Sequence, residues 1–270
     1  MTRIILVGSR SFIAGHVRTV AASNGFEAVA VGHDTPIAPL LRATDMVVNF
    51  SLDPAYRVGA YSAEEDHDLR AALACRGVGA GFIMLSTRRF YPAAERWGAK
   101  EASTAAGDET HYGRNKARSE AVVRDALQGR CAILRLSNIF GFEYDPAGSR
   151  RTFFGQALTS LRQTGRIVLD MHPDTRRDFL PVGACARAII DCAVNRAHGT
   201  YNVGCGFPVR CGDIAQWVLD GYRGGEIVAD NNEIRDEFYL NTDKWRSQFG
   251  DLVDLDLLQQ CCADLGRRLR

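Results

Sequence analysis

Residues 3–14 read Arg3-Ile4-Ile5-Leu6-Val7-Gly8-Ser9-Arg10-Ser11-Phe12-Ile13-Ala14. The apolar run that ends in Gly8 has the length of a buried strand, and a helix pattern follows from about Ser11 to Ser23, stopped by Asn24-Gly25. A strand, a tight small-residue turn and a helix opening an α/β sheet aim backbone N–H groups and the positive end of a helix dipole at one point. That point suits a pyrophosphate. Gly8 is glycine, while Ser11 and Ala14 stand where a Gly-x-x-Gly-x-x-Gly loop has its other glycines; both are small enough for close approach. The same pattern also serves as an ordinary turn in an α/β protein.

Further along, short apolar segments alternate with helix patterns. Ala28–Val31, Met46–Phe50, Phe82–Ser86 and Ala132–Leu136 read as strands; Ile37–Arg42, Glu64–Arg76 and His111–Leu127 read as helical. Strands that are apolar throughout and separated by helices predict a parallel sheet covered on both faces. The fold class is therefore α/β, a Rossmann-type doubly wound parallel sheet with a smaller C-terminal substrate-binding lobe. The expected division is 1–142 with about 179–204 for the dinucleotide-binding part, and 143–178 with 205–270 for the lobe. In the second half, Thr152–Gln163, Gly183–Val194, Ile214–Leu219 and Leu255–Leu265 read as helices and Gly199–Gly204 as a short strand. No repeat, low-complexity segment or Pro/Gly-rich linker interrupts the chain.

Composition narrows the function. The 270 residues carry 33 basic and 32 acidic side chains, a net charge of +1, which argues against nucleic acid or an anionic membrane as the main partner. Hydrophobic residues make up 46% and charged residues 24%, an ordinary globular balance. No apolar stretch approaches the ~20 residues of a membrane span, and the N-terminus reads as a strand, so a cytoplasmic location is expected. Eight cysteines are scattered without a Cys-x-x-Cys pair, so reduced buried thiols and no metal site are expected.

A dinucleotide site usually places a carboxylate about 20 residues beyond the loop to hold the adenosine ribose. That place falls at Gly32-His33, with Asp34 just after. Arg10 lies in the loop itself, where a guanidinium could meet a 2′-phosphate. The balance leans to NADP over NAD, and Asp34 would reverse it if the loop folded back.

His111-Tyr112-Gly113-Arg114-Asn115-Lys116 sets a tyrosine and a lysine at i and i+4, on one helix face. This pair serves proton transfer at a carbonyl or alcohol oxygen, because an adjacent ammonium favours phenolate and brings a phenol toward neutral pH. Only Lys100, Lys116 and Lys244 are lysine; with 8 Tyr, chance would supply about 0.1 such pairs. Met84-Leu85-Ser86-Thr87 ends a buried strand, at the carboxyl edge where ligands bind. A hydroxyl there can bond a substrate oxygen.

Together these segments resemble the extended short-chain dehydrogenase/reductase family of nucleotide-sugar epimerases, dehydratases and reductases, over nearly the whole chain. Gly8 to Ala14 is similar to its cofactor loop, and Val47-Val48-Asn49-Phe50-Ser51 to the strand on the nicotinamide side. Ser86-Thr87-Arg88-Arg89-Phe90-Tyr91 resembles the Ser/Thr segment, and Tyr112-Gly113-Arg114-Asn115-Lys116 the Tyr-Gly-x-Ser-Lys. Leu134-Arg135-Leu136-Ser137-Asn138-Ile139-Phe140-Gly141 is similar to a segment whose Asn contacts substrate, and Arg176-Arg177-Asp178-Phe179 followed by Val182 to one whose Arg grips the diphosphate. Gly199–Gly204 and Leu240–Lys244 fit later segments.

The resemblance implies Tyr112, Lys116, Thr87 and, beside it, Ser86 as the catalytic set. It implies Gly8, Arg10, Ser11, Phe12, Ile13, His33, Phe50, Ser51 and Leu52, with Tyr112 and Lys116, around the cofactor, and Arg88, Asn138 and Arg177 around the substrate. Three departures matter. Gly183 and Ala184 replace two acidic residues after Val182, which weakens the usual helix start. The span from Asp34 to Asp45 is too short for the usual third strand. Arg88-Arg89 stand where the dehydratases have Asp-Glu, which disfavours loss of water. The expected activity is an NAD(P)H-dependent reduction of a nucleotide-activated 4-keto-6-deoxy sugar with Tyr112 as proton donor; the alternative is a C4 epimerase with tightly bound NAD. Family members also dimerise through a bundle that includes the Tyr-bearing helix.

Overall fold

The computed structural model describes residues 2–103, 107–142 and 152–270. The first residues of the expected lobe, 143–151, lie outside the described residues. Six strands form one parallel sheet: β1 Arg3–Val7, β2 Glu27–Val31, β3 Met46–Asn49, β4 Gly81–Thr87, β5 Ala132–Leu136 and β6 Gly199–Val203. Their order is β6-β5-β4-β3-β1-β2, every neighbour pair parallel. The chain runs outward from β1 to β2 and then returns to the other side of β1. The carboxyl ends of β1 and β3 therefore flank a topological switch point, the crevice in which ligands of such sheets bind. β2 is the sheet edge, and the segment after it holds only a 3-10 turn, Ala38–Leu40, where a helix over 37–42 is expected from sequence. Pro39 sits inside this short turn.

Helices cover both faces. α1 Phe12–Ser23 and α5 Val182–Val194 pack together on one side, and α2 His67–Val78 and α3 His111–Ala126 on the other. The α2–α3 side buries Ala71, Ala72, Cys75, Val123 and Leu127 against Ile5, Val47, Phe82 and Met84. The opposite core runs from Ile4, Leu6 and Val48 through α5 into the C-terminal helices α6 Cys211–Tyr222 and α8 Leu255–Leu269. α5 begins at Val182 without a side-chain cap. Its buried Val182, Ala184, Cys185, Ala186 and Ile189 supply the apolar burial that outweighs the weak start. All eight cysteines are free thiols, seven of them buried. No helix among the described residues is long and apolar enough to cross a membrane.

Candidate active site

The crevice is built from the ends of β1, β2 and β3. Gly8 has φ +100°, and a Cβ there would lie 3.1 Å from Ser51 N and 3.2 Å from the Phe50 carbonyl carbon. At this positive φ and this spacing glycine lets the turn after β1 pass close against the chain leaving β3. The N–H groups of Gly8 and Ser9 both donate to Val31 O, at 2.9 and 3.0 Å, locking the turn to β2. Ser11 caps α1 in extended conformation. The N–H groups of Phe12 and Ile13 are in the first turn, where a helix has no internal acceptor for them. The Phe12 ring is edge-on to His16, 5.1 Å between centroids, and Ile13 packs toward the core, so these two side chains line no part of the crevice.

Gly8, Arg10, Ser11, His33, Phe50, Ser51 and Leu52 do line it, in a cavity of about 680 Å³ that also takes in Asp34, His67 and Arg70. A second hollow of about 340 Å³ continues from it beneath Val7, Ile37 and Ala71. The His33 ring stacks on His67, 5.9 Å between centroids, and its Nε2 lies 3.1 Å from the exposed Asp34 carboxylate. His67 Nδ1 is 3.1 Å from Ser51 Oγ. Burial, with Arg70 nearby, pushes the His67 imidazole below its usual value. The residues present thus fit a dinucleotide: a glycine turn, a helix N-terminus and an open side carrying Arg10 and Arg70 among the carboxylates of Asp34, Asp53, Glu64 and Glu65.

Tyr112 and Lys116 stand on the first turns of α3. Thr110 caps the helix by accepting from Gly113 N at 3.0 Å. Asp108 accepts from Arg89 Nη1 at 2.6 Å and from Thr110 N at 3.0 Å, tying the segment after β4 to the helix start. A Cβ on Gly113 would lie 2.7 Å from Arg89 O, so the residue after Tyr112 is glycine because α3 rides directly on the chain that follows Thr87. This contact brings Thr87 and the tyrosine-bearing turn to one end of the sheet. Thr87 Oγ accepts from Arg89 N at 3.2 Å, which leaves its hydroxyl proton to donate elsewhere.

Lys116 is buried. Its Nζ donates to Asp68 Oδ2 at 2.6 Å and to Leu85 O at 2.9 Å, which leaves one N–H of three. Burial opposes the ammonium, but the Asp68 carboxylate and the Tyr112 phenol outweigh it and hold Lys116 above its usual value. Asp68 is a functional neighbour that the sequence reading missed. It stands at i before Ala71, Ala72 and Cys75, the buried stripe of α2. A carboxylate at a stripe position needs a buried partner, and that was the available signal.

Ser86 points into a different network. Its Oγ donates to Glu120 Oε1 at 2.5 Å; Arg135 donates to Glu120 Oε2 at 2.8 Å and to the Tyr91 hydroxyl at 2.9 Å. Successive strand residues face opposite ways, so Ser86 and Thr87 part company, and Ser86 corrects the expectation of two hydroxyls at one substrate oxygen.

Asn138 and Arg177, both expected around the substrate, lie on neighbouring segments. Phe179 pairs with Asn138 between two short strands, and Asn138 N donates to Asp178 O at 3.3 Å. The Asp178 carboxylate accepts from Cys205 N at 2.8 Å and Leu240 N at 3.2 Å, pinning three separate segments. Arg177 donates to the carbonyls of Asp236 and Arg235 at 3.2 and 3.3 Å. Arg88, expected around the substrate, is instead taken up by protein groups. It is 8% exposed, stacks over the Phe238 ring at 3.8 Å and donates to Asp236 Oδ2 at 2.6 Å. Arg96 reaches the same carboxylate at 2.7 Å.

A family model described as the NAD dependent epimerase/dehydratase family matches residues 4–204. The chain belongs to this family. As an epimerase/dehydratase-family member it is an NAD-dependent enzyme of oxidoreductase type. Among solved structures it is similar to MoeE5 in complex with UDP-glucuronic acid and NAD, at 18% identity and a TM-score of 0.79, over 98% of this chain and 99% of that one. It is similar to the UDP-N-acetylglucosamine 4-epimerase from Bacillus cereus, at 17% and 0.79 over 99% of each chain. It also resembles the dTDP-4-dehydrorhamnose reductase from Yersinia enterocolitica, at 15% and 0.77 over the full length of both. At such identities the likeness is one of fold. No curated protein sequence matches the chain.

Proposed function

We propose that this epimerase/dehydratase-family protein is a reductase of a nucleotide-activated 4-keto-6-deoxy sugar, with NADPH preferred over NADH. The observation that carries the reading is the seating of Tyr112, Lys116 and Thr87 on α3 and β4, in the sheet whose β1–β3 crevice is cut for a dinucleotide. When bound, NAD(P)H would supply the hydride that reduces the keto carbon. Tyr112 gives its phenolic proton to the oxygen, so the product is a secondary alcohol. Thr87 donates its remaining hydroxyl proton to the same oxygen and orients it. Lys116 supports the phenol electrostatically and keeps one N–H for a ribose hydroxyl. Asn138 and Arg177 hold the nucleotide diphosphate, and residues 143–178 with 205–270 form the lobe around the sugar.

One observation supports reduction over dehydration. Water loss needs a protonated acid beside the sugar. The carboxylates near Arg88 and Arg89 are Asp236 and Asp108. Burial lifts each, but bonds from Arg88 to Asp236 and from Thr110 and Arg89 to Asp108 hold both below the usual carboxylate range, so neither carries a proton at neutral pH. Arg10 and Arg70 on the open side of the crevice favour the extra phosphate of NADPH, while the carboxylates of Asp34, Asp53, Glu64 and Glu65 line the same cavity and oppose it.

The test is a panel of nucleotide-activated 4-keto sugars with NADPH and with NADH, read by loss of dihydronicotinamide absorbance and product analysis. Stoichiometric consumption of NADPH with formation of a 4-hydroxy sugar supports the reading. Interconversion of two sugars with no net consumption, on cofactor that copurifies, replaces it with the epimerase.

A further inference from the structure

Lys116 does not carry its charge alone. We infer that Asp68 is a positioning residue for proton exchange at Tyr112: its carboxylate anchors the Lys116 ammonium beside β4 and cancels most of its field, so the Lys116–Asp68 pair, not Lys116 by itself, sets the pH at which the phenol gives up its proton. The inference rests on the reading of Tyr112 as proton donor.

The geometry is specific. Nζ and Oδ2 are 2.6 Å apart, with side chains 7% and 4% exposed, so neither water nor salt screens the contact. The second carboxylate oxygen of Asp68 accepts from Asn49 Nδ2 at 2.8 Å. Asn49 Oδ1 in turn accepts from Ser51 N at 3.1 Å and from Ser51 Oγ at 2.6 Å. The pair is thus fixed on both sides, and its support ends at Ser51, which lines the cofactor crevice. A buried ion pair is seldom worth its desolvation against an apolar pair of the same volume, which weighs against a purely structural role. Burial pushes the Asp68 carboxyl up against the pull of Lys116, while the contact holds Lys116 above its usual value, so the ammonium is kept charged and aimed beside an oppositely charged partner. A phenol beside a lone buried ammonium is drawn toward phenolate more strongly than one beside a compensated ammonium.

Among the described residues, the charged and titratable groups coupled to the pair or to its neighbours include Asp66, Tyr56, Tyr61, His67, Arg57 and Arg118. Asp66 caps α2 through the N–H groups of Asp68 and Leu69, and the Arg57 guanidinium lies 5.9 Å from the Tyr112 ring centroid. Replacing Asp68 by its isostere leaves all six in place.

The experiment is a phenolate-absorbance titration of the full-length protein, with the Tyr112→Phe counterpart subtracted so that Tyr112 alone is read. Removing a nearby negative charge makes proton loss easier, so Asp68→Asn shifts the Tyr112 midpoint down by about one unit or more. Coincident curves in a folded Asp68→Asn variant overturn the inference, since a merely structural carboxylate would change melting but not this midpoint. Should the single variant not fold, the neutral double variant Asp68→Asn/Lys116→Met keeps the question open to decision. A midpoint close to wild type supports a compensated pair; a rise of about two units or more means Lys116 acts uncompensated and overturns it. The titration needs no substrate, so inactivity toward every nucleotide-sugar would sink the proposed reaction and leave this result standing. Full turnover in Tyr112→Phe would instead remove the reading on which the role of Asp68 rests.

Discussion

Ser86 Oγ donates to Glu120 Oε1 at 2.5 Å, while Thr87, the next residue, turns to the other side of β4 and accepts from Arg89 N at 3.2 Å. Two adjacent hydroxyls therefore have separate work. Ser86→Ala is expected to leave turnover near wild type and to lower stability by about 1.5–3 kcal/mol, the usual cost of losing a buried hydrogen bond to a charged group. Thr87→Val is expected to reduce kcat on the order of 10²-fold with a smaller change in melting. Denaturant unfolding and steady-state kinetics on both variants check the pair. Equal kinetic losses would put both hydroxyls on the substrate.

Gly8→Ala should abolish useful cofactor binding. At φ +100° an alanine is strained by roughly 1–2 kcal/mol, and its methyl group meets Ser51 N and the Phe50 carbonyl carbon. Calorimetric titration with NADH and NADPH is expected to show at least a tenfold loss for both. Wild-type affinity would mean that the dinucleotide does not pass over this turn.

Tyr112→Phe removes only the phenolic oxygen from a half-buried position. The expected outcome is a fall in turnover of about 10²–10⁴-fold with cofactor affinity within a factor of a few of wild type. A proportionate loss of both would assign the ring to binding rather than to proton transfer.

Acid should weaken the fold through His16 and His67. Burial depresses both imidazoles, with Arg268 adding to it at His16 and Arg70 at His67. The unfolded chain then binds more protons than the native one below the ordinary histidine range. Their contribution is complete above about pH 6.5 and declines as pH falls through the depressed native values. Melting followed from pH 7.5 to 5 should drop in wild type and flatten in a His16→Gln/His67→Gln variant. Parallel curves would place the acid sensitivity elsewhere.

Much of this architecture was legible in the residues themselves. The run 3–14 gave the strand, the turn and the helix because burial, glycine and small side chains act locally there. The Tyr112–Lys116 spacing gave the helix face for the same reason. The short span 34–45 foretold an edge at β2, and the sheet does end there. What escaped was non-local. Nothing near Arg166–Leu169 announces that it pairs in parallel with Glu226–Ala229, about sixty residues on. The helix Asp243–Phe249 is only 7 residues long and carries no sustained periodicity. Arg88 looked like an open cation because its partner, Asp236, arrives from 148 positions away. Asp68 and Ser86 were misjudged or missed because a buried polar side chain is defined by the group it meets.

The terminal place of Glu27–Val31 in the sheet bears on what kind of ligand the dinucleotide is. Among the described residues no strand lies beyond it, and the segment through His33 and Pro36 stands at that side of the crevice, facing His67 and Arg70 of α2. On the proposed reductase reading the nucleotide comes and goes with each cycle, so a dialysed preparation should turn over only once NADPH is added back, whereas retained NAD and unaided activity would favour the epimerase.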